Sequence, residues 1–67
     1  MNYLEGIVSK WLDRGFGFIG VDGQDDDVFV HNSELNGAFE LRAGQKVEFE
    51  LEDSPKGPRA VGVKIIE

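Results

Sequence analysis

The side chains best placed to do chemistry in this chain are rings rather than nucleophiles. Phe16 and Phe18 stand in the run Arg14-Gly15-Phe16-Gly17-Phe18-Ile19, and Phe29 and His31 follow in Asp27-Val28-Phe29-Val30-His31. Successive side chains of a strand point to opposite faces. Read as two strands, the first stretch puts Arg14, Phe16 and Phe18 on one face and Gly15, Gly17 and Ile19 on the other, and the second separates Asp27, Phe29 and His31 from Val28 and Val30. The aliphatic residues suit a packed interior, which leaves the rings in water. A register slip of one residue would instead expose Ile19, Val28 and Val30 together, and a half-buried strand holds its register against that. Exposed rings on adjoining strands form a patch that a soluble protein rarely keeps without a use. Flat rings beside cationic and hydrogen-bonding groups match unpaired nucleobases, since every base has a π-face. The same face could also dock a protein partner, with the acidic remainder of the surface repelling nucleic acid.

Other chemical signals fail on their context. Gly15-Phe16-Gly17-Phe18-Ile19-Gly20 has the spacing G-x-G-x-x-G, but a dinucleotide site needs a helix to follow inside a βαβ unit, and here strand alternation continues. His31 is the only histidine, too few ligands for a metal site among phenylalanines. No serine or carboxylate is spaced to serve it as nucleophile or orienting partner. Asp25-Asp26-Asp27 lacks the alternating ligands and closing glutamate of a calcium loop. The expectation is a protein that is not an enzyme and uses neither metal nor cofactor.

A chain of 67 residues makes one small domain, residues 1–67, with no room for a second core or a deep catalytic cleft. It has no cysteine, so no disulfide framework or thiolate metal site holds it together, and cytoplasmic residence is the natural expectation. The start, Met1-Asn2-Tyr3-Leu4-Glu5, lacks the basic and then apolar run of a secretory signal, and no apolar stretch approaches a membrane span. A domain this small should hold only about 3–5 kcal/mol of net stability. The formal charge of −6 argues against a binder that works through a general phosphate-attracting field, though not against one that works by stacking. The acids are segregated in sequence: Asp22, Asp25, Asp26 and Asp27 in one loop, Glu48, Glu50, Glu52 and Asp53 on a later strand. Lys10, Arg14, Lys56 and Arg59 lie elsewhere and could collect around the rings.

The elements that must position these groups are five short strands. The first runs from Leu4 to Leu12, with Gly6, Val8 and Leu12 facing one way and Ile7, Ser9 and Trp11 the other, which adds Trp11 to the outward set. Asp13-Arg14 links to a second strand ending near Val21, Asp22-Gly23-Gln24 makes a turn, and the third strand spans Asp27 to His31. Asn32-Ser33-Glu34-Leu35 reads as a single helical or 3₁₀ turn capped by Asn32 or Ser33. Asn36-Gly37 signals a turn, and Phe39 and Leu41 sit in a connecting loop that ends at Ala43-Gly44-Gln45. From Lys46 to Glu52, Val47, Phe49 and Leu51 alternate with charged residues. Ser54-Pro55-Lys56-Gly57-Pro58 is expected as a loop, since each proline removes a backbone donor. A last strand follows with Val61, Val63 and Ile65 inward. Shared inward aliphatics in a chain too small for two packed sheets predict an all-β, five-stranded antiparallel barrel of the OB-fold type. Closure leaves little free edge, so a monomer is expected.

At this point the chain resembles the cold-shock domain family. Gly-Phe-Gly-Phe-Ile after a cation, then Asp-Val-Phe-Val-His, then a late Lys-Gly-Pro look like that family's pattern from Gly6 to about Val63. The first two correspond to its two ribonucleoprotein-type motifs. The resemblance implies binding of single-stranded RNA or DNA by base stacking, and roles as RNA chaperone, transcription antiterminator or cold-response protein. By match to the motifs it implies Phe16, Phe18, Phe29 and His31 as stacking groups, Arg14 and Lys56 as basic flanks and Asp27 as a contact to a base edge. Lys10, Trp11, Phe39 and Arg59 complete the expected site. Two departures stand out. Trp11 comes one place later than usual, with a shorter link to Arg14, and Asn32 replaces an aromatic often found after the histidine, which removes one stacking ring.

Overall fold

A closed ring of five strands cannot alternate direction all the way round, and this chain shows where the alternation breaks. The computed structural model describes residues 3–66. Met1, Asn2 and Glu67, part of the expected domain, lie outside the described residues. The strands are β1 (Tyr3–Leu12), β2 (Phe16–Gly20), β3 (Val28–His31), β4 (Lys46–Ser54) and β5 (Gly57–Ile65), closed into a barrel in the order β1-β2-β3-β5-β4. β1 is antiparallel to both β2 and β4, β2 to β3, and β4 to β5. β3 and β5 must then run the same way, and they pair in parallel through Phe29 with Arg59 and Val30 with Ala60. The barrel is therefore mixed rather than purely antiparallel.

Val8, Ile19, Val28, Val30, Val47, Phe49, Ala60 and Val63 fill the interior, each from a strand, and Leu41 plugs it from the connecting loop. The faces read from β2, β3 and the start of β4 hold. Two bulges alter the rest. On β1, Val8 pairs with Ile19 but Lys10 pairs with Phe18, so Ser9 is an extra residue. β1 serves β4 with Tyr3–Ile7 and β2 with Ile7–Leu12, and the bulge supplies the bend between the two. The Val8 backbone meanwhile bonds to the loop, its N–H to Gln45 and its carbonyl from the Gly44 N–H.

The second bulge sits where Glu48 pairs with Lys64 and Glu50 with Val61, so that Phe49 alone faces Gly62 and Val63. Gly62 takes φ 61°, the left-handed conformation that a glycine bulge uses. Ala60 and Val63 consequently point inward and Val61 is half-buried, while Ile65, paired with the inward Val47, is exposed at the end of β5, against the expectation that Val61, Val63 and Ile65 share the core. Leu51 pairs with Ala60 at the end of the barrel and remains 39% exposed. The expected loop before β5 is also tighter. Ser54 pairs with Gly57 across a two-residue turn of Pro55 and Lys56, and the Ser54 hydroxyl donates to the Gly57 carbonyl. Pro58 lies inside β5, where it is tolerated because pairing with β3 begins only at Arg59.

Candidate nucleic-acid interface

The register lays the stripe out in rows across the strands. Lys10, Phe18, Phe29 and Arg59 stand side by side on β1, β2, β3 and β5. Leu12, Phe16 and His31 form the adjacent row. On the other side, Asp27 lies before β3 and Ser9 at the bulge, both close to Gly20. The central row thus has a cation at each end and two rings between them.

The three phenylalanines form one cluster outside the core. Ring centroids are 5.7 Å apart for Phe16 and Phe29, 6.0 Å for Phe18 and Phe29 and 6.4 Å for Phe16 and Phe18, the last two edge to face. That geometry suits the quadrupole of each ring and keeps the cluster in place without a ligand. All three rings are half-buried. Lys10 holds its ammonium 5.2 Å from the Phe18 centroid, a cation–π distance. The β4–β5 hairpin rises beside the rings to make a groove of about 490 Å³, lined by Phe18, Phe29, Ser54, Pro55, Lys56, Gly57, Pro58 and Arg59. Lys56 and Arg59, remote from the rings in sequence, are brought to them by this turn.

His31 is exposed and caps the 3₁₀ turn Asn32–Glu34: its Nδ1 accepts from the Ser33 N–H at 3.1 Å and lies 2.9 Å from the Ser33 hydroxyl. The cap is therefore His31 rather than Asn32 or Ser33. Those contacts pin the ring at Nδ1 and leave Nε2 to the solvent side. Asn32 is half-buried; its N–H bonds to the Gly15 carbonyl and its side chain covers Gly15. Arg14 is exposed in the β1–β2 turn.

Trp11 does not point with the phenylalanines, contrary to the alternation read from Ile7 and Ser9. After the bulge at Ser9 the faces swap, and Trp11 pairs with Gly17 on the inner side. Its indole lies where a Gly17 side chain would be: a Cβ there would come 2.6 Å from Trp11 Cε3. Trp11 packs against the core cluster and stays partly exposed. Leu12 takes the place beside Phe16 instead. Phe39 is 91% exposed on the connecting loop and makes no ring contact with the three phenylalanines. The groove residues that sequence reasoning missed are Ser54, Pro55, Gly57 and Pro58. A proline either side of Lys56-Gly57 was the available signal for a rigid wall.

A closed five-stranded barrel carrying a ring stripe edged by cations is the build of a domain that binds single-stranded nucleic acid. Comparison with known proteins gives the family. The profile described as "'Cold-shock' DNA-binding domain" matches residues 4–66, and the chain belongs to the cold-shock domain family. It is 49% identical over 61 residues to a probable cold shock protein A of Mycolicibacterium smegmatis, covering 85% of this chain and 91% of that one. With the major cold shock protein CspA of Bacillus cereus it shares 52% over 58 residues, 81% of this chain and 85% of that one. Among solved structures, drosophila Unr CSD456 superimposes with a TM-score of 0.81 at 22% identity, over 98% of this chain and 27% of that one, a likeness of fold alone.

Proposed function

We propose that this chain acts as one domain that holds unpaired bases of RNA or DNA on Phe16, Phe18, Phe29 and His31, with Lys10, Arg14, Lys56 and Arg59 meeting phosphates or base edges. The observation that carries the reading is the central row, in which two rings in contact lie between two cations beside an open groove. Asp27, at the acidic end, accepts from a base edge and discourages phosphates from passing that way. Phe39 is free to fold over a bound strand from its loop. Trp11 supports the stripe from beneath, through Gly17.

The role is binding, not catalysis. By capturing bases only when they are unpaired, the domain shifts marginal hairpins toward their open state without fuel, which is the work of an RNA chaperone. It would act as a monomer in the cytoplasm, and moderate, sequence-tolerant affinity serves it better than tight binding. The test is titration of fluorescently labelled oligo-uridine and oligo-thymidine at low salt, read by anisotropy, beside the same strands annealed to their complements. Single strands should bind and duplexes should not. Absence of binding at millimolar strand would overturn the reading and turn attention to a protein partner for the same face.

A further inference from the structure

Arg59 stands in the central row, yet one edge of its guanidinium is already occupied. Nε and Nη2 both donate to a single carboxylate oxygen of Glu52, Nε at 2.9 Å. Glu52 is its cross-strand neighbour on β4, and Phe29 its neighbour on β3. The carboxylate thus ties the guanidinium toward β4. Lys10 sits over a ring of the row; Arg59 is tied to an acid instead. The groove is lined by Arg59 and not by Glu52, so the acid grips from behind.

The Nε and Nη2 edge is one with which arginine makes paired hydrogen bonds to phosphate. We infer that Glu52 is a built-in competitor for Arg59: it fills that edge in place of a phosphate, and so holds down both the affinity of the groove and its sensitivity to salt. The inference rests on the reading that the groove takes a single strand. Both partners are about half exposed, 46% and 50%, and an exposed pair contributes little to stability. Replacing Glu52 should therefore leave the barrel intact and free that edge of Arg59 for a phosphate.

The decisive comparison is a double-mutant cycle with Glu52→Gln and Arg59→Ala, read as oligo-thymidine affinity over a range of salt. Glu48→Gln serves as a control for net charge, since Glu48 lies between Glu5 and Lys64. Glu52→Gln should bind about two- to fivefold tighter, with the salt slope steeper by about 0.7, one added phosphate. In the Arg59→Ala background, Glu52→Gln should change affinity no more than Glu48→Gln does. The inference is overturned if wild type binds but Glu52→Gln matches it or only equals Glu48→Gln, or if the gain persists without Arg59. A wild type that binds no strand at all overturns the reading of the groove itself, and the inference with it.

Discussion

Each phenylalanine of the stripe lies partly against its neighbours and partly toward solvent, and that division sets what an alanine there removes. Phe16→Ala and Phe29→Ala should each weaken oligonucleotide binding by about 1–3 kcal/mol, the usual worth of one base-stacking ring. Unfolding midpoints in urea should fall only slightly, because the rings sit outside the packed interior. Phe49 is the contrast, fully buried from β4. Phe49→Ala should cost about 3–5 kcal/mol, comparable with the whole stability of about 3–5 kcal/mol available to so small a scaffold, and leave the chain largely unfolded. Titration and urea unfolding on the same variants separate the two cases. A Phe29→Ala protein as unfolded as Phe49→Ala would mean the stripe is structural rather than a binding surface. His31 joins both categories, since it caps the 3₁₀ turn at Nδ1 while facing the stripe.

At the scale of the element, strand alternation is a local rule, and it was legible wherever a strand keeps strict period. β2, β3 and the first half of β4 place Phe18, Ile19, Val28, Phe29, Val47 and Phe49 as read from sequence alone. Alternation misplaced Trp11 and Val61 because a bulge adds one residue and reverses every face beyond it, and nothing in Val8-Ser9-Lys10 distinguishes an extra residue from a paired one; Ile65, paired with the inward Val47, is exposed because it ends β5. Gly62 was the better clue on β5, since a glycine within a strand often marks a bulge. Lys56 and Arg59 were legible as free cations but not as groove walls, because their place depends on which turn the prolines permit. Gly17 ties the first bulge to the site. A Cβ there would clash with the Lys10 carbonyl as well as the indole, and backbone cannot yield as a flexible side-chain end does. Gly17→Ala should therefore destabilise the barrel by about 1–3 kcal/mol, the range for overpacking, and shift Trp11 emission as the indole is displaced. Wild-type stability and unchanged emission would show that β1 does not lie over Gly17 in this way.

For the whole molecule, the same salt should push folding and binding in opposite directions. Thirteen acidic residues against seven cations give the net charge of −6, and part of that charge is crowded by the fold. Glu5 stands directly across from Glu48 on β1 and β4, and like charges placed so are destabilising. Lys46, 3.6 Å from Glu5, and Lys64, opposite Glu48, relieve this only in part. Asp22, Asp25, Asp26 and Asp27 are exposed in one loop, with no ion pair to a described residue. Raising ionic strength from about 0.05 to 0.5 M shortens the screening length severalfold, weakens this self-repulsion and should raise the unfolding temperature by a few degrees. Binding must respond the other way, because released counterions favour it at low salt. Lys10, Arg14 and Lys56 make no ion pair with a described residue, so the logarithmic salt slope for a single strand should be no steeper than about −2, at roughly −0.7 per phosphate. Thermal unfolding and anisotropy titrations across one salt series measure both. A slope well beyond that limit would mean that phosphate attraction rather than stacking carries the affinity, and a falling unfolding temperature would mean that the acidic surface is held by attractive pairs rather than strained by repulsion.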